Sequence, residues 1–99
     1  MTDPETFRAQ LDTVFRVQDA AGAVPLRLAE VEVGPVSGGL LQFSLFFHGP
    51  ADRFLPQSTY EFDHDALGRL ALFIVPIVGS NRARIVYQAC FSHPVSSRT

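Results

Sequence analysis

Residues 59–74 read TYEFDHDALGRLALFI. Tyr60 and Phe62 alternate with Thr59, Glu61 and Asp63, and HDALG at 64–68 turns the chain into a second apolar run. Successive side chains of a strand point to opposite faces. If Asp63 stands opposite Arg69, Phe62 faces Leu70 and Tyr60 faces Leu72, so both arms bury one common face. Antiparallel pairing requires that agreement, because a slip of one residue would turn every apolar side chain outward.

The same parity extends in both directions. Downstream, GSNR at 79–82 reads as a hairpin loop and Ile85, Tyr87, Ala89 and Phe91 share a face. With residues 78 and 83 opposite, Ile74 faces Tyr87 and Leu72 faces Ala89. Upstream, Leu41, Phe43, Leu45 and Phe47 form one face of LLQFSLFFH at 40–48, and GPVSGG at 34–39 is a loop. Before it, Val24, Leu26 and Leu28 point inward, but Val31 and Val33 continue in the opposite phase. One extra residue near Ala29–Glu30, a β-bulge, accounts for the switch. Phe15 and Val17 begin the pattern, and DAAG at 19–22 turns the chain.

The N-terminus differs in period. Asp3 caps, Pro4 suits the first helical position, Glu5 favours the positive end of the helix dipole, and Phe7 and Leu11 share a face. The expected architecture is therefore all-β: six antiparallel strands at about 13–18, 24–33, 40–48, 58–64, 69–77 and 84–91, in an up-and-down meander. Closure into a small barrel or a two-layer sandwich hides the edges, with a short helix at about 4–11 plugging one end or covering one face. A polar tail from about His93 is expected to fray.

Composition bounds the function. A chain of 99 residues with 46% apolar residues fits one compact domain. The net charge is −2, every basic residue is Arg, and the arginines are scattered. The absence of Lys excludes a Schiff-base or P-loop lysine, and no basic stripe marks a nucleic-acid surface. Cys90 stands alone, so no internal disulfide forms. The sequence MTDPETFRAQL lacks the basic-then-apolar order of a signal peptide, and no apolar segment is long enough to span a bilayer. A cytoplasmic location with no membrane partner is the expectation.

Few residues invite chemistry. Asp63–His64–Asp65 has metal-ligating side chains, but neighbours on a strand diverge, and Asp63 pairing across to Arg69 is the simpler reading. His48 ends a strand at a loop mouth with no readable nucleophile beside it. Cys90 lacks adjacent positive charge. Gly38–Gly39 precedes a strand, which no phosphate loop does, and Ser80 lacks the spacing of a nucleophile elbow. Catalytic, metal and cofactor-binding residues are therefore expected to be none. The stretch HGPADRFLPQSTYEF at 48–62 is longer than a tight hairpin and is stiffened by Pro50 and Pro56, with Phe54 and Leu55 able to tuck onto the core. It reads as a lid or contact loop, with His48, Arg53 and Phe54 as contact candidates.

FSLFFHGP, FLPQSTYEF, HDALGRLALFIVPI and YQACF, with FRAQLDTVFRV at 7–17 ahead of them, resemble an uncharacterised small bacterial domain family. Its pattern is FxxxLGTxFxV, FSLLFRGP, LLPQGTYxxEHPxLGxxxLFLVPIG and YEAVF. The resemblance covers most of the chain and carries structural rather than catalytic residues. It implies no activity, and it implies a gene neighbourhood of phage-tail-like proteins. Asp12 and Ser58 stand where Gly is usual, so a left-handed backbone there is strained or absent, and His48 stands where Arg is usual.

The surplus is on the outside. Ala71, Phe73, Val75 and Ile77 occupy the outer face of their strand, Phe46 that of another, and Pro76 marks a strand end, bulge or edge. A non-enzymatic interaction or assembly module, contacting a protein partner or itself through these five residues, is the leading expectation. The alternative is a small-molecule-binding barrel whose aromatic inner face (Phe15, Phe43, Tyr60, Phe62, Tyr87 and Phe91) lines a pocket, and the third is an acid–base or hydrolytic enzyme using His48 or His64.

Overall fold

The computed structural model describes residues 4–19, 22–77 and 84–94, with side chains to Ser92. In chain order it has a helix α1 (Pro4–Arg8) and six strands: β1 (Val14–Asp19), β2 (Gly22–Ser37), β3 (Leu40–Pro50), β4 (Ser58–His64), β5 (Gly68–Pro76) and β6 (Arg84–Pro94). All neighbouring pairs are antiparallel, and the sheet closes into a barrel in the order β1–β2–β3–β6–β5–β4. Closure, strand number and helix follow the expectation. The meander does not: β3 pairs with β6 rather than β4, and β4 returns to β1. Two strands separate β3 from β4 whichever way round the barrel one goes, so residues 51–57 cross the mouth. A connection of that length and stiffness reaches across an open end, which strand parity alone cannot reveal.

The core is the inner face that the alternation marked. Phe15, Val17, Val24, Leu26, Leu28, Leu45, Phe47, Phe62, Ile74 and Tyr87 have no measurable exposure, and Phe43 nearly none. Phe15 meets Phe47 edge-on and Phe43 stacks on Phe91, arrangements that add about 0.5–1.5 kcal/mol each beyond area burial. The inner face is thus packed with the chain's own side chains, as a six-stranded barrel demands.

The β4–β5 register is as read: Asp63 opposite Arg69, Phe62 opposite Leu70, Tyr60 opposite Leu72. A register shift between Leu28 and Glu30 places the bulge at Ala29. Several details differ. Gly34–Ser37 belong to β2, because Gly38 and Gly39 both take left-handed φ (60° and 78°) and make a two-residue turn pairing Ser37 with Leu40. A second register shift between Val33 and Val36 absorbs Gly34–Pro35. The β2–β3 hairpin therefore runs past the barrel, and Val33, expected inside, is exposed there. β6 continues to Pro94 against β3 rather than ending at 91. β5 meets β6 with Pro76 opposite Tyr87, two residues from the expected register; a shift of two keeps every face. Asp3, residues 20–21 of the expected DAAG turn, the expected hairpin loop at 79–82 and the residues from 95 lie outside the described residues.

α1 is one turn shorter than expected. After Arg8 the chain tightens, with Gln10 N–H bonding Phe7 C=O and Leu11 N–H bonding Arg8 C=O, a three-residue spacing that swings Leu11 away from Phe7 and toward solvent. Phe7 stays buried against Phe43 and Phe91 and plugs the lower end. Asp12 does adopt the left-handed backbone (φ 67°), and Arg27 Nη1 holds its carboxylate at 2.9 Å. Ser58 does not adopt it.

Gly49 is inward-facing near the upper end of β3. A Cβ there would lie 2.5 Å from Leu26 Cδ2 and 3.1 Å from a Tyr87 ring carbon, and both neighbours are fully buried. Gly49→Ala should therefore lower stability by about 1–3 kcal/mol through overpacking, measured by urea unfolding.

Candidate functional site

The outer face of β3, β6 and β5 gathers the apolar surplus. Hydrogen-bonded register lays Glu30 of β2, Phe46 of β3, Gln88 of β6 and Val75 of β5 in one row across four strands. Phe46 and Val75 are half-buried and flank Gln88, whose amide donates to Ser44 Oγ at 3.2 Å. Phe73 points the same way one step along β5, opposite Thr59, and is 50% exposed. Ala71 is exposed and Ile77 half-buried, its N–H on Val86 C=O. α1 packs inward on Phe43 and Phe91, so this face has no helix over it. All five expected surface residues lie on the outside, four of them along β5 and its end. Gln88 completes the patch. It was not legible because the expected strand order put β4, not β6, beside β3.

Cys90 is exposed two residues beyond Gln88, with Sγ 3.6 Å from Ser44 Oγ.

The three loop candidates separate. Phe54 is 60% exposed, at the crest of the connection across the mouth, while Leu55 beside it is 1% exposed and joins the core. Two tyrosines hold this lid. Tyr87 Oη accepts Leu55 N–H at 2.9 Å and donates to Arg53 C=O at 3.4 Å, and Tyr60 Oη donates to Pro56 C=O at 2.7 Å. Burial raises both tyrosine pKa values; the Leu55 N–H partly offsets it at Tyr87, and the Asp19 charge adds to it at Tyr60. Both stay neutral hydroxyls able to donate. Arg53 Nη2 is buried without a hydrogen bond, 3.9 Å from Asp19 Oδ2. The ion pair fixes the lid to the end of β1.

His48 lies on the outer face opposite Arg27, whose Nη2 donates to His48 Nδ1 at 3.1 Å. Burial first, then the Arg84 and Arg27 charges, lower its pKa. It is a neutral acceptor in an Asp12–Arg27–His48 chain, with no nucleophile bonded to it.

The Asp63–His64–Asp65 triplet diverges as strand geometry requires. Asp63 Oδ1 pairs with Arg69 Nε at 3.8 Å and Asp65 with Arg16 at 2.8 Å, both at the surface. His64 turns inward, 5% exposed, its ring 4.2 Å from that of Phe15. Its Nδ1 accepts the N–H groups of Ala66 and Leu67 at 3.0 and 3.1 Å. Thr13 Oγ1 donates to Gln10 C=O at 2.7 Å, so His64 Nε2–H donates to Thr13 Oγ1 at 2.8 Å. Both ring nitrogens are committed to structure. Among the described residues no group of three His, Cys, Asp or Glu side chains is placed to hold a metal ion. No helix there is long and apolar enough to cross a membrane.

A family model described as a domain of unknown function, DUF6916, matches residues 2–91. No curated protein and no solved structure matches the chain.

Proposed function

The chain belongs to the DUF6916 family of domains of unknown function, and on that premise we propose that it is a non-enzymatic, cytoplasmic interaction or assembly module that binds protein through the outer face of β5. The observation that carries this reading is Phe73, half-exposed on a strand face that also presents Ala71 and Val75 and that no described element covers. A buried aromatic anchor is what gives a protein interface most of its energy. His48 and His64 support the same reading from the other side: each has a ring nitrogen held by structural hydrogen bonds. The gene neighbourhood implied by the sequence resemblance makes phage-tail-like proteins the first partners to test.

Phe73→Asp separates the readings. The side chain is half-exposed in the single chain, so the substitution should cost about 1–2 kcal/mol of stability and leave the barrel folded, which urea unfolding checks. At the centre of an interface it should weaken association at least thirtyfold, the equivalent of about 2 kcal/mol. Molar mass by light scattering after size exclusion, over a wide concentration range, reads self-association. Pull-down by immobilised wild type and Phe73→Asp against proteins encoded beside the gene reads a different partner. A wild-type chain that is monomeric and retains the same neighbours as Phe73→Asp overturns the proposal.

A further inference from the structure

The barrel is not equally closed all round. β5 meets β6 only through Val75 opposite Gln88 and Pro76 opposite Tyr87, extended by the Ile77 N–H on Val86 C=O. Below that point the strands part. β6 continues from Ala89 to Pro94 bonded to β3, and β5 runs back to Gly68 bonded to β4, with no pairing between them. Among the described residues each strand thus has one row of backbone N–H and C=O groups facing the gap without a strand partner, a ready template for another extended chain.

The gap is more than a missing ladder. A cavity of about 380 Å³ lies in it, lined by Thr6 and Phe7 of α1, Arg69, Leu70 and Leu72 of β5 and Phe91 of β6, so that polar and apolar groups share its wall. On the outer side of the same strand, level with the open ladder, is the half-exposed Phe73. A cavity with Leu70, Leu72 and Phe91 in its wall inside, backbone with no strand partner among the described residues between, and an apolar ring outside make the two faces and one edge of an absent strand.

We infer that the β5–β6 seam takes up an extended segment of another protein chain, with apolar side chains at every second position, as an added strand; this rests on the interaction reading above and names its partner. Alternate side chains of such a strand enter the cavity, the backbone pairs with β5, and the side chains between them lie against Phe73. A small apolar molecule would fill the cavity but leave the ladder unpaired and Phe73 in water. A helix has no free backbone groups to offer. Pro76, without an N–H, ends the ladder where β5 and β6 come together, so the added strand occupies the span from Gly68 to Ile74.

The test uses the intact chain and a displayed library of random linear octapeptides. Selected binders should carry apolar residues at alternate positions. In their presence, backbone amides within 68–74 should exchange with deuterium at least tenfold more slowly. The best binder, resynthesised with alternate amides N-methylated, should bind at least tenfold more weakly, because methylation removes ladder donors and leaves side chains in place. No binder, protection confined to another part of the barrel, or affinity indifferent to methylation overturns the inference. A binder that ignores methylation yet is lost on Phe73→Asp overturns strand addition and leaves the interaction reading standing, whereas equal behaviour of wild type and Phe73→Asp against neighbouring proteins removes the reading on which it rests.

Discussion

Replacing His64 by Phe should lower the stability of the barrel by about 2–4 kcal/mol near neutral pH and flatten its acid limb. The substitution keeps an aromatic ring against Phe15 but leaves two backbone N–H groups, Ala66 and Leu67, and the Thr13 hydroxyl without the partner that joined them. An orphaned buried polar group costs about 1–3 kcal/mol; Thr13 and Leu67 are half-buried and Ala66 exposed, which keeps the sum below three full penalties. The consequence is topological as well as local. His64 ends β4, Ala66 and Leu67 belong to the turn into β5, and Thr13 precedes β1, so one ring ties three segments at the helix-plugged end. Backbone pairing between β1 and β4 is only Arg16 with Asp63 and Val17 with Phe62, so this end of the barrel depends on the side-chain bridge.

The pH dependence follows from the same bonds. Burial lowers the His64 pKa from 6.5; Asp65 opposes the shift and Arg16 adds to it. Protonating Nδ1 would also set a third N–H against two backbone donors. The folded pKa therefore lies below the unfolded one. The stability this confers is complete above about pH 6.5 and is lost as the pH falls below it, because the unfolded chain takes up the proton first. Each such proton contributes a slope of up to about 1.4 kcal/mol per pH unit until the folded form also protonates. His48 is shifted in the same direction. Urea unfolding from pH 7.5 down to 5 should therefore show proton uptake on unfolding that is larger in wild type than in His64→Phe. An identical slope in both proteins would mean that the pKa of His64 is the same in the folded and unfolded chain.

What was legible in the sequence follows from which forces act locally. Alternation is set by the water–core boundary, residue by residue, and it gave the inner face, the β4–β5 register and the bulge at Ala29. Strand order is not local. Nothing in the parity of Phe43, Phe47 or Tyr87 says whether β3 lies beside β4 or β6, and only the reach of 51–57 across the mouth decides it. The hairpin at Gly38–Gly39 was misjudged because Gly34–Pro35 reads as a breaker, whereas a register shift on a partly exposed strand absorbs it. The outer patch was visible as excess apolar residues on β5 and at Phe46. Its continuity through Gln88 depends on the strand order and stayed hidden with it, whereas β5 and β6 are neighbours as expected but part before Leu72 can face Ala89.

The lid carries the second large effect. Leu55→Ala should cost about 2–4 kcal/mol, since a fully buried side chain is removed from the one element that crosses the mouth and leaves a cavity above the core. Tyr87→Phe should cost about 1–3 kcal/mol, because Leu55 N–H loses its only acceptor among the described contacts and Arg53 C=O a donor. The two effects share one structure, so they should not add. Once Leu55 is shortened the lid lifts, water reaches its N–H, and the Tyr87 hydroxyl has less left to supply. A double-mutant cycle by urea unfolding should give a loss for the pair smaller than the sum by at least about 0.5 kcal/mol. Strict additivity would mean that 51–57 stays seated on its prolines and the Arg53–Asp19 pair alone. In that case hydrogen exchange at Leu55 should be as slow in Tyr87→Phe as in wild type. The lid closes the end where β5 and β6 come together, and the seam opens toward the end held by Phe7 and His64. Lifting the lid should therefore leave uptake of a strand at the seam intact, while loosening His64 should disturb it.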